Sequence, residues 1–222
     1  SKESICGLLL THAHEDHIGA VHHLWPYLRC PVYATAFAAE VLIKKLIEAG
    51  LEKEVDINII NIDSEIKIGP FDIEIISMSH SIIEPSAALI STSAGSVFHT
   101  GDWKIDYNPQ IGEGINKKRL QSLGKENLLA MVCDSTNVLV KGTSGSEEDV
   151  IEPLTKIIKE STGRVFVSTF ASNVTRLNTL AKIGASLGKK VALVGLSMWR
   201  MVEIAKKCGY LSDLSAFVSE RD

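Results

Sequence analysis

Cysteine is scarce in this chain of 222 residues: there are 4, at Cys6, Cys30, Cys133 and Cys208, with no CxxC pair among them. So few, so widely spaced, cannot make a disulfide scaffold. Cys6 and Cys133 lie in apolar, strand-like runs, so buried free thiols in a reducing compartment are expected. Long apolar runs are missing too, none approaching the roughly 18 residues of a membrane-spanning helix. Ser1, Lys2, Glu3 and Ser4 lead straight into a strand-like run without the pattern of a signal peptide. The expectation is a cytoplasmic protein that does not engage a membrane.

An excess of positive charge is also absent. Lys and Arg number 23 against 27 Asp and Glu, a formal charge of -4. No global field therefore draws nucleic acid to the chain, which excludes a histone-like or arm-type binder and leaves a local basic groove open. Aromatics make up 6% and Pro only 6 residues, while 45% hydrophobic, 23% charged and 16 Gly are values of a globular chain. They exclude disordered, collagen-like and low-complexity classes. The length suffices for one large domain or two smaller ones.

Along the chain, residues 5–11 form a continuous apolar run that reads as a strand buried on both faces. Apolar residues then recur at helical spacing over 18–28, and Pro31 stops any continuation. A short strand over 32–34 precedes a helix over 37–49, ended by Gly50 in the left-handed C′ position. Residues 65–75 alternate apolar and polar around Gly69 and Pro70, predicting a hairpin with one wet face. Strands follow over 86–92 and 96–100, a short helix over 117–123, and a fully apolar strand over 128–133. From Ser146, a fitting N-cap with Asp149 at the third helical position, the pattern changes. It reads helix to 160, strand 164–169, helix 174–187, strand 190–194 and helix 197–207, a βαβα alternation that implies a parallel sheet. A domain change is placed near residue 145.

The dominant feature is the run THAHEDHIG from Thr11 to Gly19, directly after the first strand. In extended or turning backbone, residues two apart project to one side, so His12 and His14 can grip one ion. Asp16 and His17, opening the next helix, can reach a second ion a few Å away. Mixed nitrogen and oxygen donors suit zinc, with manganese the second choice. A polar loop rich in His by chance is the alternative. The chain has only 7 His, and three of them fall in this window in the spacing HxHxDH.

This pattern resembles the signature of the metallo-β-lactamase superfamily. Two further segments match it: His80 at the end of a hairpin strand, and Asp102 in the run HTGDWK from His99 to Lys104. The resemblance implies one metal on His12, His14 and His80, another on Asp16 and His17, and Asp102 bridging both. The runs DSTN from Asp134 and TFASN from Thr169 narrow it further, resembling the ribonuclease J group of β-CASP nucleases over essentially the whole chain. The implied architecture is α/β: an incomplete metallo-β-lactamase αββα sandwich over 1–145, then the start of a parallel β-CASP α/β domain over 146–222. Asp134 takes an acid/base role by that resemblance, and Ser172, with Asn173 beside it, contacts an RNA phosphate. Independently, 172–173 precede a helix, whose free N–H groups favour phosphate.

The implied activity is two-metal hydrolysis of RNA phosphodiester bonds, 5′ to 3′ exonucleolytic with endonucleolytic cuts, in RNA decay and maturation. The substrate would be 5′-monophosphorylated single-stranded RNA, and the full-length protein a homodimer or tetramer. Asp16 and Asp134 are the candidate catalytic carboxylates. No His follows His99, so the second ion has only Asp16, His17 and Asp102, short of a closed zinc site. The chain is therefore expected to be a central slice of a larger nuclease, inactive or weakly active by itself. A thioester or lactam hydrolase of the same superfamily and a non-catalytic RNA-binding remnant are the alternatives. His22 and His23, on a helix, are expected to be surface residues, and His99 a packed strand residue or a support behind the ligands. The three Trp are expected to be packing anchors.

Overall fold

The computed structural model describes residues 4–211 and 217–218. Its first layer is a parallel sheet of β1 (Leu8–Leu10), β2 (Val32–Ala34) and β3 (Ile57–Ile59), in register Leu8↔Val32 and Val32↔Ile57. The helical run expected over 18–28 is two pieces, α1 (Glu15–Ile18) and α2 (Val21–Leu28). α2 ends where Arg29 turns left-handed, at φ 49°. α3 (Ala36–Ala49) buries one apolar stripe, including Phe37, Leu42 and Leu46. Gly50, at φ 70°, closes it as its type foretells, with the Leu51 N–H reaching back to the Leu46 carbonyl at 2.8 Å.

The second layer is a five-stranded sheet in the order β4 (Glu65–Ile68), β5 (Phe71–Ser77), β6 (Ser86–Thr92), β7 (Gly95–His99), β8 (Leu128–Val132). Neighbours from β4 to β7 run antiparallel, and β8 joins parallel to β7 after a crossover through α4 (Lys117–Leu123). The period-2 reading of 65–75 is realised: Ile68, Ile73 and Ile75 are buried, while Glu65, Lys67 and Asp72 stay in water. Arg119 of α4 grips Glu74 of β5 with Nε–Oε1 and Nη2–Oε2 contacts of 2.6 and 2.7 Å.

In the second half, α5 (Ile151–Glu160), α6 (Val174–Ser186), β9 (Val191–Ala192), α7 (Leu196–Lys207) and β10 (Phe217–Val218) follow in turn. β9 and β10 pair in parallel. One apolar cluster joins Phe37, Leu42 and Trp25 to Val174, Leu177, Val202 and Phe217, so it runs across residue 145. At about 25 cal/mol per Å² of buried apolar surface, a shared cluster of this kind ties the halves energetically.

Several expectations give way. Residues 164–169 form no strand among the described residues; Phe166 is 88% exposed, and an apolar run forms a ladder only where a partner backbone lies alongside. The apolar strand expected over 128–133 is β8, at the edge of its sheet, with Leu129 63% and Met131 61% exposed. β1 covers only 8–10 and is half-buried rather than buried on both faces. Cys6 and Cys133 are exposed, whereas Cys30 is buried and Cys208 intermediate. β3 and β10, two or three residues each, carried no recognisable pattern.

Candidate metal centre

The site forms where the two sheets meet at the end of β1. The Thr11 carbonyl accepts both the N–H and the hydroxyl of Ser86, at 3.0 and 2.9 Å, which pins β1 to the start of β6. His12, fully buried, follows at once; His14 stands before α1 in extended conformation, and Asp16 and His17 lie within α1. Ile18, with no exposed surface, anchors that turn in the core.

His80 comes from the loop after β5, which closes through the Met78 N–H on the Pro85 carbonyl at 3.1 Å. Asp102 comes from the turn after β7. Gly101 shapes that turn at φ +59°, and a Cβ there would lie 2.6 Å from the Ser86 carbonyl oxygen. His99 accepts the Gly101 N–H on Nδ1 at 3.0 Å, so its ring shapes the turn from behind.

These four segments bring the ligand atoms of His12, His14, His80 and Asp102 within 4.8 Å of one another, and likewise those of Asp16, His17 and Asp102. Asp102 is common to both groups: its Oδ2 lies 3.7 Å from His12 Nε2, 3.8 Å from His80 Nε2 and 3.3 Å from His17 Nε2. His14 Nδ1 and His80 Nε2 face each other at 3.1 Å. His12 Nδ1 meets Thr11 Oγ1 at 3.1 Å, while its Nε2 is buried with no hydrogen-bond partner among the described residues. A buried, unpartnered ring nitrogen aimed into carboxylate and imidazole groups is a cation ligand in waiting, because leaving it unmade otherwise costs about 1–3 kcal/mol. The residues thus fit a divalent metal ion.

Electrostatics favours the ligand-ready state. Burial, reinforced by the neighbouring imidazoles, holds the His12 pKa down to about 2. Burial and His80 hold that of His14 to about 4, against the opposing pull of Asp16 and Asp102. His80 is lowered as well, chiefly by burial. All three rings are therefore neutral near pH 7, with lone pairs free to coordinate.

Asp134 follows β8, and its N–H donates to Thr100 Oγ1 at 3.1 Å, next to the Asp102 turn. Its carboxylate accepts the Thr136 N–H and hydroxyl at 2.9 and 2.7 Å, and these bonds lower its pKa. It is also an electrostatic neighbour of His80. Ser172 and Asn173 do not join the His/Asp cluster. Asn173 is buried as the N-cap of α6, accepting the Arg176 N–H at 2.9 Å, with its amide 3.5 Å from Glu147 Oε1. A cleft of about 380 Å³ adjoins His80 and is lined from both halves by Ser79, Asp106, Glu147, Thr175 and Tyr210. His22 and His23 lie against each other with centroids 3.8 Å apart and their ring planes tilted by 41°.

Sequence reasoning passed over a buried ionic network behind the site. Asp106, 2% exposed, accepts the Ser146 hydroxyl at 2.7 Å and the Glu147 N–H at 3.1 Å. Burial pushes its pKa up, but these bonds, the Asn108 N–H and the Lys104 charge outweigh that and lower it. Lys104 sits 3.4 Å from Asp106 and 3.5 Å from Glu147, and Arg176 donates to Glu147 at 3.0 Å. The only hint in the sequence was the capping pattern of Ser146 and Asp149. The Ser146 N–H donates to Asp149 at 2.7 Å and its hydroxyl accepts the Glu148 N–H at 3.1 Å. The expected N-cap at Ser146 nevertheless gives way: Glu147 opens a 3-10 turn over Glu148–Val150 that precedes α5.

Comparison with known proteins bears on both halves. Residues 1–120 match the family model of the beta-lactamase superfamily domain, and residues 162–222 that of the ribonuclease J beta-CASP domain. Ribonuclease J of Sinorhizobium meliloti is 42% identical over 219 residues, covering 99% of this chain and 39% of that protein. Ribonuclease J of Helicobacter pylori strain J99 is 38% identical over 211 residues, covering 95% and 30%. The chain thus spans less than two-fifths of the length of these relatives. A crystal structure of a protein of unknown function from Enterococcus faecalis shares the fold, with a TM-score of 0.64 at 18% identity, over 97% of this chain and 55% of that one.

Proposed function

Since the chain belongs to the metallo-β-lactamase superfamily, in its ribonuclease J branch, we propose that it serves metal-dependent hydrolysis of RNA phosphodiester bonds, 5′ to 3′ exonucleolytic with endonucleolytic cuts. The carrying observation is the convergence of two ligand groups on one Asp102 carboxylate. A pair of divalent ions, when bound, makes water nucleophilic near neutral pH and offsets the charge gathering on the phosphoryl group.

Within this reading His12, His14, His80 and Asp102 hold one ion, and Asp16, His17 and Asp102 the other; zinc suits the donors and manganese is second. Asp134, held as a carboxylate by Thr136, accepts a proton during the reaction. Ser172 and the N-terminus of α6 face the RNA phosphates, with Asn173 holding that helix end in shape. The cleft beside His80 is where a single strand carrying a 5′-monophosphate would lie. The setting is RNA decay and maturation in the cytoplasm, with the whole protein a dimer or tetramer. Among the described residues no helix is long and apolar enough to cross a membrane.

Among the described residues the second group offers three ligands, fewer than a closed zinc site takes. Turnover by these 222 residues alone is expected to be slow. The test is single-turnover cleavage of 5′-labelled, 5′-monophosphorylated RNA with protein in excess and zinc or manganese present, for the wild type and Asp16→Ala. Metal-dependent cleavage weakened in the variant supports the reading; equal rates overturn it. Hydrolysis of a thioester or lactam panel in place of RNA would assign the site to another branch of the superfamily. RNA binding without metal-dependent cleavage would leave a non-catalytic module.

A further inference from the structure

The loops bearing His80 and Asp102 are laced together and then tied to the second half of the chain. Lys104 donates its N–H to the Ser79 carbonyl at 2.8 Å, and the Ser79 hydroxyl returns to the Lys104 carbonyl at 2.8 Å. The Asp106 N–H donates to that same hydroxyl at 3.1 Å. Ser79 precedes His80, and Lys104 follows Asp102 by two residues, so this lacing sets the separation of two ligands of one ion. Its outer side is occupied by Asp106, whose carboxylate takes Ser146 and Glu147, while Glu147 takes Lys104 and Arg176. The His80 loop is held at its far end as well: Glu84 accepts the Phe37 N–H at 2.7 Å and the Tyr210 hydroxyl at 2.6 Å.

We propose that Asp106 and Glu147 are positioning residues for the metal centre, through which docking of residues 146–211 sets the spacing of His80 and Asp102 and hence the affinity for the ion between them. The proposal rests on the metal-binding reading above. The physical reason is balance: two buried carboxylates meet one Lys and one Arg, and each member fixes the next. Neutralising Glu147 leaves Lys104 with one carboxylate and loosens the loop it anchors. Partners that hold a ligand from behind typically alter metal affinity by about ten- to a hundredfold when changed.

The experiment titrates the whole chain with Co2+, followed by its visible absorption, beside amide hydrogen exchange of the metal-free protein. Glu147→Gln is expected to weaken Co2+ binding about tenfold or more and to speed exchange at the Lys104 and Asp106 amides. Lys207→Ala, which breaks an exposed tie between the same halves at Glu40, is expected to do neither. A folded Glu147→Gln with wild-type affinity, or an equal loss in Lys207→Ala, overturns the proposal. Should Glu147→Gln not fold, Ser146→Ala, which removes one hydroxyl from Asp106, decides by the same two readouts. If the wild type takes up no Co2+, the metal reading fails by itself. Exchange then still decides the coupling, and unchanged rates at Lys104 and Asp106 refute it.

Discussion

One oxygen of Asp102, Oδ2, lies 3.3 Å from His17 Nε2, and the same oxygen faces the rings of His12 and His80 at 3.7 and 3.8 Å. The His17–Asp102 relationship makes the two candidate ion sites share a ligand, so damage to Asp102 reaches both.

Asp102→Asn is accordingly expected to lower bound zinc more than Asp16→Ala does. The Asp16 change leaves His12, His14, His80 and Asp102 intact. Elemental analysis after dialysis against a known zinc concentration compares them. Identical stoichiometries would mean that Asp102 is not shared.

Acid should weaken the metal-free fold before it protonates most carboxylates. His12 is held at about 2 and His14 at about 4, against 6.5 for a free side chain. The unfolded chain therefore binds protons that the folded chain refuses, and stability falls as pH drops. Their contribution is complete above about pH 6.5 and is lost progressively toward the folded values. Urea midpoints measured in chelator from pH 8 to 5 should fall, and His12→Gln should flatten the slope. A slope unchanged by His12→Gln refutes this.

Gly101→Ala tests the turn that presents Asp102. Left-handed backbone costs an L-residue roughly 1–2 kcal/mol, and the new Cβ meets the Ser86 carbonyl oxygen. Chemical denaturation should show a loss of at least that size, with weaker zinc retention because Asp102 is displaced. Wild-type stability in Gly101→Ala would contradict the turn geometry.

Leu177→Ala probes whether the halves unfold together. Leu177 is 3% exposed in the cluster that contains Phe37 and Leu42. A cost of about 2–5 kcal/mol is expected, moving one common transition. Far-UV circular dichroism and tryptophan emission (Trp25 and Trp103 before residue 145, Trp199 after it) should shift in parallel. Two separated transitions would show that the halves are independent.

The amino-acid sequence determined the local things, because they depend on neighbours in the chain. The HxHxDH spacing puts His14 in extended backbone and Asp16 and His17 in the helical turn that follows. Alternation over 65–75 sets the wet face of β4 and β5, and Gly50 closes α3 because few other residues accept its φ. The same logic failed at 164–169, where apolar composition says nothing about which backbone lies alongside. It also misjudged Cys6 and Cys133, whose exposure depends on what covers them.

Only the tertiary structure decided which distant groups meet. His80 and Asp102 reach His12 because Ser86 and Gly101 bring β6 and β7 against the end of β1. Asn173, read as a phosphate contact, has its side chain occupied as a helix cap and as a partner of Glu147. The Lys104, Asp106, Glu147 and Arg176 network has no sequence spacing at all, since its charges lie up to 72 positions apart, from 104 to 176. Buried charges are tolerable only when paired, and which pairs can form is settled by packing rather than by order along the chain.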